Sequence, residues 1–256
     1  MKRFFILVTF FFSVNLYASE EWSNIPSISG NGTIPVFSIS RDDSTATVVL
    51  IPGGPFTIGN KSPDTGRPDG INFVVRSAGQ FSQEKLNVVL MGKPDKAGDL
   101  RSTEQRQKDH HASDVMEVVG FAKKFDKPIW LVGTSLGAIS VVNAVLTDKN
   151  VLVKGVVLSS SSFKDKRGYG VLSMDLEKLL VPVLLSGHEK DECPATNPKF
   201  NEDARKRLTA SKKVAISLIS TGSAPTGNIC GPKHWHGYIN AEVDAVRSIS
   251  EFIRSN

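Results

Sequence analysis

Gly133-Thr134-Ser135-Leu136-Gly137 follows the apolar run Pro128-Ile129-Trp130-Leu131-Val132 and precedes a helix-like stretch, Ala138–Leu146. A serine between two glycines, where a strand gives way to a helix, meets the demands of a nucleophile elbow. The turn is so sharp that neighbouring side chains must nearly vanish, and Gly133 and Gly137 have none. It lifts the Ser135 hydroxyl above the sheet and points the Leu136 N–H back towards the place where an oxyanion would form. A serine hydroxyl is a weak nucleophile at neutral pH, so a base must take its proton as it attacks. Imidazole suits this because it titrates near neutrality. A carboxylate behind the imidazole holds its tautomer and stabilises the imidazolium. The chain offers five histidines for the base: His110, His111, His188, His234 and His236.

The elements that must position these groups are readable from apolar patterning. Thr33–Ile39 and Thr45–Ile51 carry β-branched residues between turn signals and read as strands. Leu86–Met91, Pro128–Val132, Val153–Leu158, Val181–Ser186 and Val214–Ser220 are short apolar runs of the kind that fill buried parallel sheets. Helical patterns lie between them, at Ile71–Ser82, Gln105–Phe125, Leu136–Leu146, Asn201–Ala210 and Ala241–Arg254. Val115, Val118, Val119 and Ala122 form a stripe with helical spacing. The alternation predicts an α/β fold: a mostly parallel central sheet with helices on both faces. Active sites in such sheets gather beyond the carboxyl ends of the strands, and Ser135 follows one of those ends. Leu158 and Val181 are joined by a short connection with one small helix around Leu172–Leu180, which leaves no room for a large cap.

The first residues have a different character. Met1-Lys2-Arg3 is followed by an apolar stretch from Phe4 to Val14, with five phenylalanines in its first nine positions, and then by Asn15-Leu16-Tyr17-Ala18-Ser19. This is the pattern of a secretory signal peptide, with cleavage expected after Ala18. The stretch is too short to cross a bilayer, which takes about 20 apolar residues. Residues 1–18 are therefore expected to be the signal, and 19–256 a single domain in a periplasmic or secreted protein. Without Lys2 and Arg3, 29 basic side chains remain against 26 acidic ones. That near balance, with no basic stripe interleaved with aromatics, argues against nucleic-acid binding. In an oxidising compartment the chain's two cysteines, Cys193 and Cys230, are expected to pair.

With its Gly-Thr-Ser elbow, its Asp191-Glu192-Cys193 segment and a late Cys followed by His-Gly, the chain resembles the α/β-hydrolase superfamily over nearly all of residues 19–256. More narrowly, it looks like a group of uncharacterised exported bacterial hydrolases. That superfamily places its triad in the order Ser, then Asp or Glu, then His, each at the end of a different strand. The resemblance implies a base in the loop before the last helix, matched by His236-Gly237-Tyr238, with His234 two residues away as the alternative. Gly237 leaves the backbone room to turn the ring inward. His110 and His111 fall on an amphipathic helix and read as surface or capping residues. The acid belongs after the strand that runs into Gly187-His188, which points to Asp191 ahead of its neighbours Glu189 and Glu192. The second oxyanion donor is expected in Ile51-Pro52-Gly53-Gly54-Pro55. It is assigned to Gly54, since Pro55 has no N–H, with Phe56 as the fallback. This segment departs from the His-Gly often found there.

A Cys193–Cys230 bond would tie the acid loop to the histidine loop. It closes a segment of 38 residues, for which chain entropy gives roughly 4 kcal/mol. Ser159-Ser160-Ser161-Ser162 either lines the pocket or forms a solvated turn. No HExxH, GxGxxG or GxxxxGK[ST] pattern occurs, so neither metal nor nucleotide cofactor is expected. The expected protein is a serine hydrolase acting through an acyl-enzyme on a small or polymer-attached ester or related acyl group, without stable membrane insertion. The rivals are an inactive binding protein of the same fold, and a peptidase or acyltransferase using the same three residues.

Overall fold

The computed structural model describes residues 18–256, so the expected export signal lies outside the described residues except for Ala18. Among the described residues, eight strands form one sheet in the order β1-β2-β4-β3-β5-β6-β7-β8. They are β1 (Ala18–Pro26), β2 (Thr33–Arg41), β3 (Ala46–Ile51), β4 (Leu86–Met91), β5 (Ile129–Thr134), β6 (Val153–Ser159), β7 (Val183–His188) and β8 (Val214–Ile219). The last six run parallel, while β1 and β2 pair antiparallel at one edge. β1 was not foreseen. Its sequence, Ala-Ser-Glu-Glu-Trp-Ser-Asn-Ile-Pro, is mostly polar and exposed, and backbone pairing with β2 rather than burial holds it.

Among the described residues, seven α-helices cover the sheet: α1 (Phe73–Arg76), α2 (Ala78–Gln83), α3 (Thr103–Arg106), α4 (Asp109–Ala122), α5 (Leu136–Thr147), α6 (Phe200–Arg207) and α7 (Glu242–Arg254). Alternate residues of each strand serve opposite faces. Val49 and Ile51 of β3 pack with Val115, Val118 and Val119 of α4 and with Ile139 and Val142 of α5. Val48 and Leu50 pack with Phe73, Phe81 and the apolar side of α7.

Two expected helices are broken. The stretch from Ile71 to Ser82 divides at Ser77, whose backbone leaves the helical region at φ −96° and ψ 3°. The stretch from Gln105 to Phe125 divides at Gln107 and Lys108; Asn143 on α5 donates to the carbonyls of Arg106 and Lys108, taking up backbone acceptors at the break. Between β6 and β7 lie only short 3-10 turns at Val171–Ser173 and Leu176–Lys178, with no lid. The chain passes from β3 to β4 on one side, then crosses back over β3 to β5 on the other. Loops leaving β3 and β5 consequently diverge and open a crevice at the carboxyl end of the sheet.

Candidate functional site

Ser135 sits in that crevice with φ 56° and ψ −121°, a conformation that side chains seldom adopt. The surroundings enforce it. A Cβ at Gly133 would lie 2.4 Å from the Gly137 carbonyl oxygen, and one at Gly137 would lie 2.3 Å from that of Ile51. The Ser135 N–H donates to Ser159 O at 2.9 Å, and its carbonyl accepts from Ala138 and Ser162 at 3.1 Å. The four-serine run is thus a buried scaffold beneath the elbow, not a solvated turn, and of its members Ser162 lines the cavity. Ser159 Oγ also meets the buried Tyr238 hydroxyl at 2.9 Å.

After β3 the chain turns through Pro52-Gly53-Gly54. Gly53 runs so close to the elbow that a Cβ there would lie 2.8 Å from Ser135 Cβ, and Gly54 takes φ +54°. The Gly53 carbonyl accepts the Phe56 N–H at 3.1 Å. That bond occupies the fallback donor, and Phe56 is itself buried. Among the described residues the N–H groups of Gly54 and Leu136 have no partner, and both residues line the cavity with Ser135.

Asp191 and His236 come together beside them. His236 Nδ1 lies 3.2 Å from Asp191 Oδ2, with both side chains buried. Asp191 Oδ1 accepts the Cys193 N–H at 3.0 Å. The Thr196 hydroxyl, which sequence reasoning missed, lies 2.8 Å from Asp191 Oδ2 and 3.0 Å from His236 Nδ1. Nothing in Ala195-Thr196-Asn197 marks it as special before the loop is folded. Among the described residues Ser135 Oγ has no hydrogen-bond partner, so no bond links it to His236, although both line the same cavity of about 820 Å³. Pro55, Ile71, Phe73, Leu136 and Pro232 supply apolar wall.

The other candidates lie elsewhere. His234 packs edge-on against Trp235, away from the cavity lining. His188 is buried, stacks on Trp235 at 4.5 Å, donates through Nε2 to Thr221 O and accepts the Lys190 N–H at Nδ1. Glu189 and Glu192 are exposed. His110 is exposed as expected, but His111 is not a surface residue: it is 1% exposed, and its Nε2 meets Ser140 Oγ at 2.8 Å. Burial, helped by the nearby Arg106 and His110, pushes its pKa down to about 3. His111 precedes Val115 by one helical turn, so it shares the buried face of α4 with Val118, Val119 and Ala122.

Cys193 and Cys230 form the expected disulfide, with Cα atoms 4.8 Å apart, and its two residues border the cavity. Among the described residues no group of three His, Cys, Asp or Glu could hold a metal ion, and no helix is long and apolar enough to cross a membrane.

No family model matches the chain, and no curated protein matches it. Solved structures do. A predicted CIB-like hydrolase from Thermoplasma acidophilum superposes with a TM-score of 0.60 at 16% identity, over 94% of this chain and 100% of the other. A cold-adapted esterase from an Arctic intertidal metagenomic library gives 0.62 at 11% identity, over 94% and 99%. An α/β serine hydrolase without a lid from Xanthomonas campestris gives 0.59 at 14% identity, over 96% and 97%. Likeness at these identities establishes architecture, and it agrees with the sheet order, the helices on both faces and the crevice above β3 and β5: the chain has the α/β-hydrolase fold.

Proposed function

We propose that residues 19–256 form a single catalytic domain of an exported serine hydrolase that cleaves an ester or related acyl bond. The observation that carries this is convergence: Ser135, His236 and the two residues with unpartnered N–H groups, Gly54 and Leu136, line one cavity, with Asp191 behind the imidazole. In this scheme Ser135 Oγ attacks the substrate carbonyl carbon while His236 Nε2 takes the hydroxyl proton. The carbonyl oxygen becomes an oxyanion held by the N–H groups of Gly54 and Leu136. Collapse expels the alcohol, which receives the proton from His236 and leaves an acyl-Ser135. Water, deprotonated by the same imidazole, then releases the acid. The reaction calls for no metal or cofactor.

An open, lidless crevice with apolar wall suits small or polymer-attached esters, and no nucleic acid or stable membrane insertion is required. Export is supported by the leader-like first residues and by a disulfide, which persists in oxidising compartments. The rival, a binding protein of the same fold, draws on the missing Ser135–His236 hydrogen bond. Such bonds are often long in unliganded enzymes and tighten on binding. Labelling by a fluorophosphonate probe separates the two. Wild type should label and hydrolyse short p-nitrophenyl esters, while a folded Ser135→Ala does neither. Full labelling of the variant removes Ser135 as nucleophile, and a folded wild type that never labels favours the binding protein.

A further inference from the structure

Arg106 is completely buried, yet among the described residues no carboxylate lies within 4.0 Å of it. An uncompensated charge in a protein interior costs several kcal/mol, so its neighbours must supply something in return. They are almost all backbone. Arg106 Nε donates to Leu100 O at 2.6 Å, one terminal nitrogen donates to Pro52 O at 3.1 Å and to Ser140 Oγ at 3.2 Å, and the other donates to Gly54 O at 2.9 Å. The guanidinium carbon lies 4.8 Å from the centre of the Phe56 ring. Burial draws its pKa down to about 9, which leaves it charged at neutral pH.

Its partners have one thing in common. Pro52 and Gly54 flank the turn that carries the Gly54 N–H. Ser140 lies one helical turn beyond Leu136 on α5, and Asn143 of the same helix donates back to the Arg106 carbonyl at 3.0 Å. One side chain therefore grips both elements that carry the cavity-lining residues with unpartnered N–H groups. The Gly53 carbonyl between the two gripped ones is turned towards Phe56, which aims the attached Gly54 N–H the opposite way, as a trans peptide requires.

We infer that Arg106 is a positioning residue for the oxyanion site, clamping the Pro52–Gly54 turn against α5 and setting a buried positive charge behind the two N–H donors. The inference rests on the serine-hydrolase reading above. It explains why an arginine occupies this place. Its planar fork reaches three carbonyls and a hydroxyl at once, which a lysine cannot do. A charge in the water-poor interior acts strongly on a negative charge that develops nearby. Ground-state substrate carries no such charge, so the benefit belongs to the transition state.

Arg106→Met and Arg106→Lys test this, each first checked for fold by circular dichroism and thermal melting. Arg106→Met should lower kcat on a p-nitrophenyl ester by about 100-fold, as loss of an oxyanion donor does, with KM changed by less than about threefold. A trifluoromethyl ketone supplies the second readout. Ser135 Oγ adds to its carbonyl, His236 takes the proton, and the ketone oxygen becomes a stable oxyanion. Its inhibition constant should rise by the factor by which kcat/KM falls. Arg106→Lys, which keeps the charge and some of the bonds, should recover part of both losses. A folded Arg106→Met with kcat near wild type and unchanged inhibitor affinity overturns the inference. So does failure of both variants to fold, since the group would then serve folding. Wild type that never labels with fluorophosphonate defeats the hydrolase reading itself, whereas labelling wild type with indifferent Arg106 variants defeats only this one.

Discussion

Thr196 has one hydroxyl proton and two polar neighbours, and their chemistry decides where it goes. Ionised Asp191 can only accept, so the proton points to Oδ2 at 2.8 Å. The Thr196 oxygen then accepts the proton on His236 Nδ1 at 3.0 Å, which that nitrogen shares with Asp191 at 3.2 Å. This network leaves Nε2 as the unprotonated nitrogen, the state a general base requires. His236→Ala should therefore lower activity about as far as Ser135→Ala, because such residues act as a unit. His234→Ala should keep most activity. Asp191→Asn should be severely impaired, with exposed Glu189→Gln and Glu192→Gln near wild type. Thr196→Val should lose roughly 10- to 100-fold in kcat/KM, the worth of a hydrogen bond to a charged group, and Thr196→Ser should restore it. Steady-state kinetics on one ester ranks them all, and a reversed order within the histidines or within the carboxylates shows that assignment to be wrong. That Ser135 and His236 line one cavity and that Asp191 meets His236 was anticipated because the resemblance supplied their order, and the variants above test their roles. Thr196 was not, since a threonine in a polar loop has no pattern of its own.

The loops that carry Asp191 and His236 are held by contacts that cross the chain. The Cys193–Cys230 bond joins them, and Cys193 also donates its N–H to Asp191. The Tyr238 hydroxyl, bonded to Ser159 and Ser186, pins the histidine loop to the ends of β6 and β7. Arg76 reaches from α1 to the Gly237 carbonyl and to Glu242 at the start of α7. The double variant Cys193→Ala/Cys230→Ala should melt lower, by about 2–4 kcal/mol of stability. It should also lose turnover well below its new melting point, because slackened loops first blur the Asp191–His236 contact, where a displacement near 1 Å is costly. Activity that follows the melting curve alone would show that the bond stabilises without aligning. Strand and helix cores were legible from period. The break at Ser77 was not, since apolar spacing continues across it, and neither was that at Gln107-Lys108, where residues 101–111 hold no apolar side chain and so carry no period to interrupt.

For the molecule as a whole, the buried His111 ties stability to pH. Its folded pKa of about 3 lies below its ordinary value of 6.5, so between those limits the unfolded chain binds the proton and the folded chain does not. At higher pH neither state is protonated and there is no penalty; as pH falls through 6.5, stability declines by about 1.4 kcal/mol per unit until about pH 3. His111→Gln, whose side-chain carbonyl can accept from Ser140, should flatten that slope in urea unfolding measured between pH 6.5 and 4. An unchanged slope would show that His111 does not govern it. Local stereochemistry and hydrophobic period determined in advance the elbow at Ser135, the parallel strands and the helices between them, because each depends on residues only a few positions apart. The tertiary structure alone decided that β1 joins the sheet edge, that Thr196 enters the Asp191–His236 contact, and that Arg106 meets carbonyls some fifty positions earlier in the chain. Those outcomes depend on which groups the folded chain brings together and shields from water, and a hydrogen bond between distant residues leaves no periodic trace along the chain that makes it.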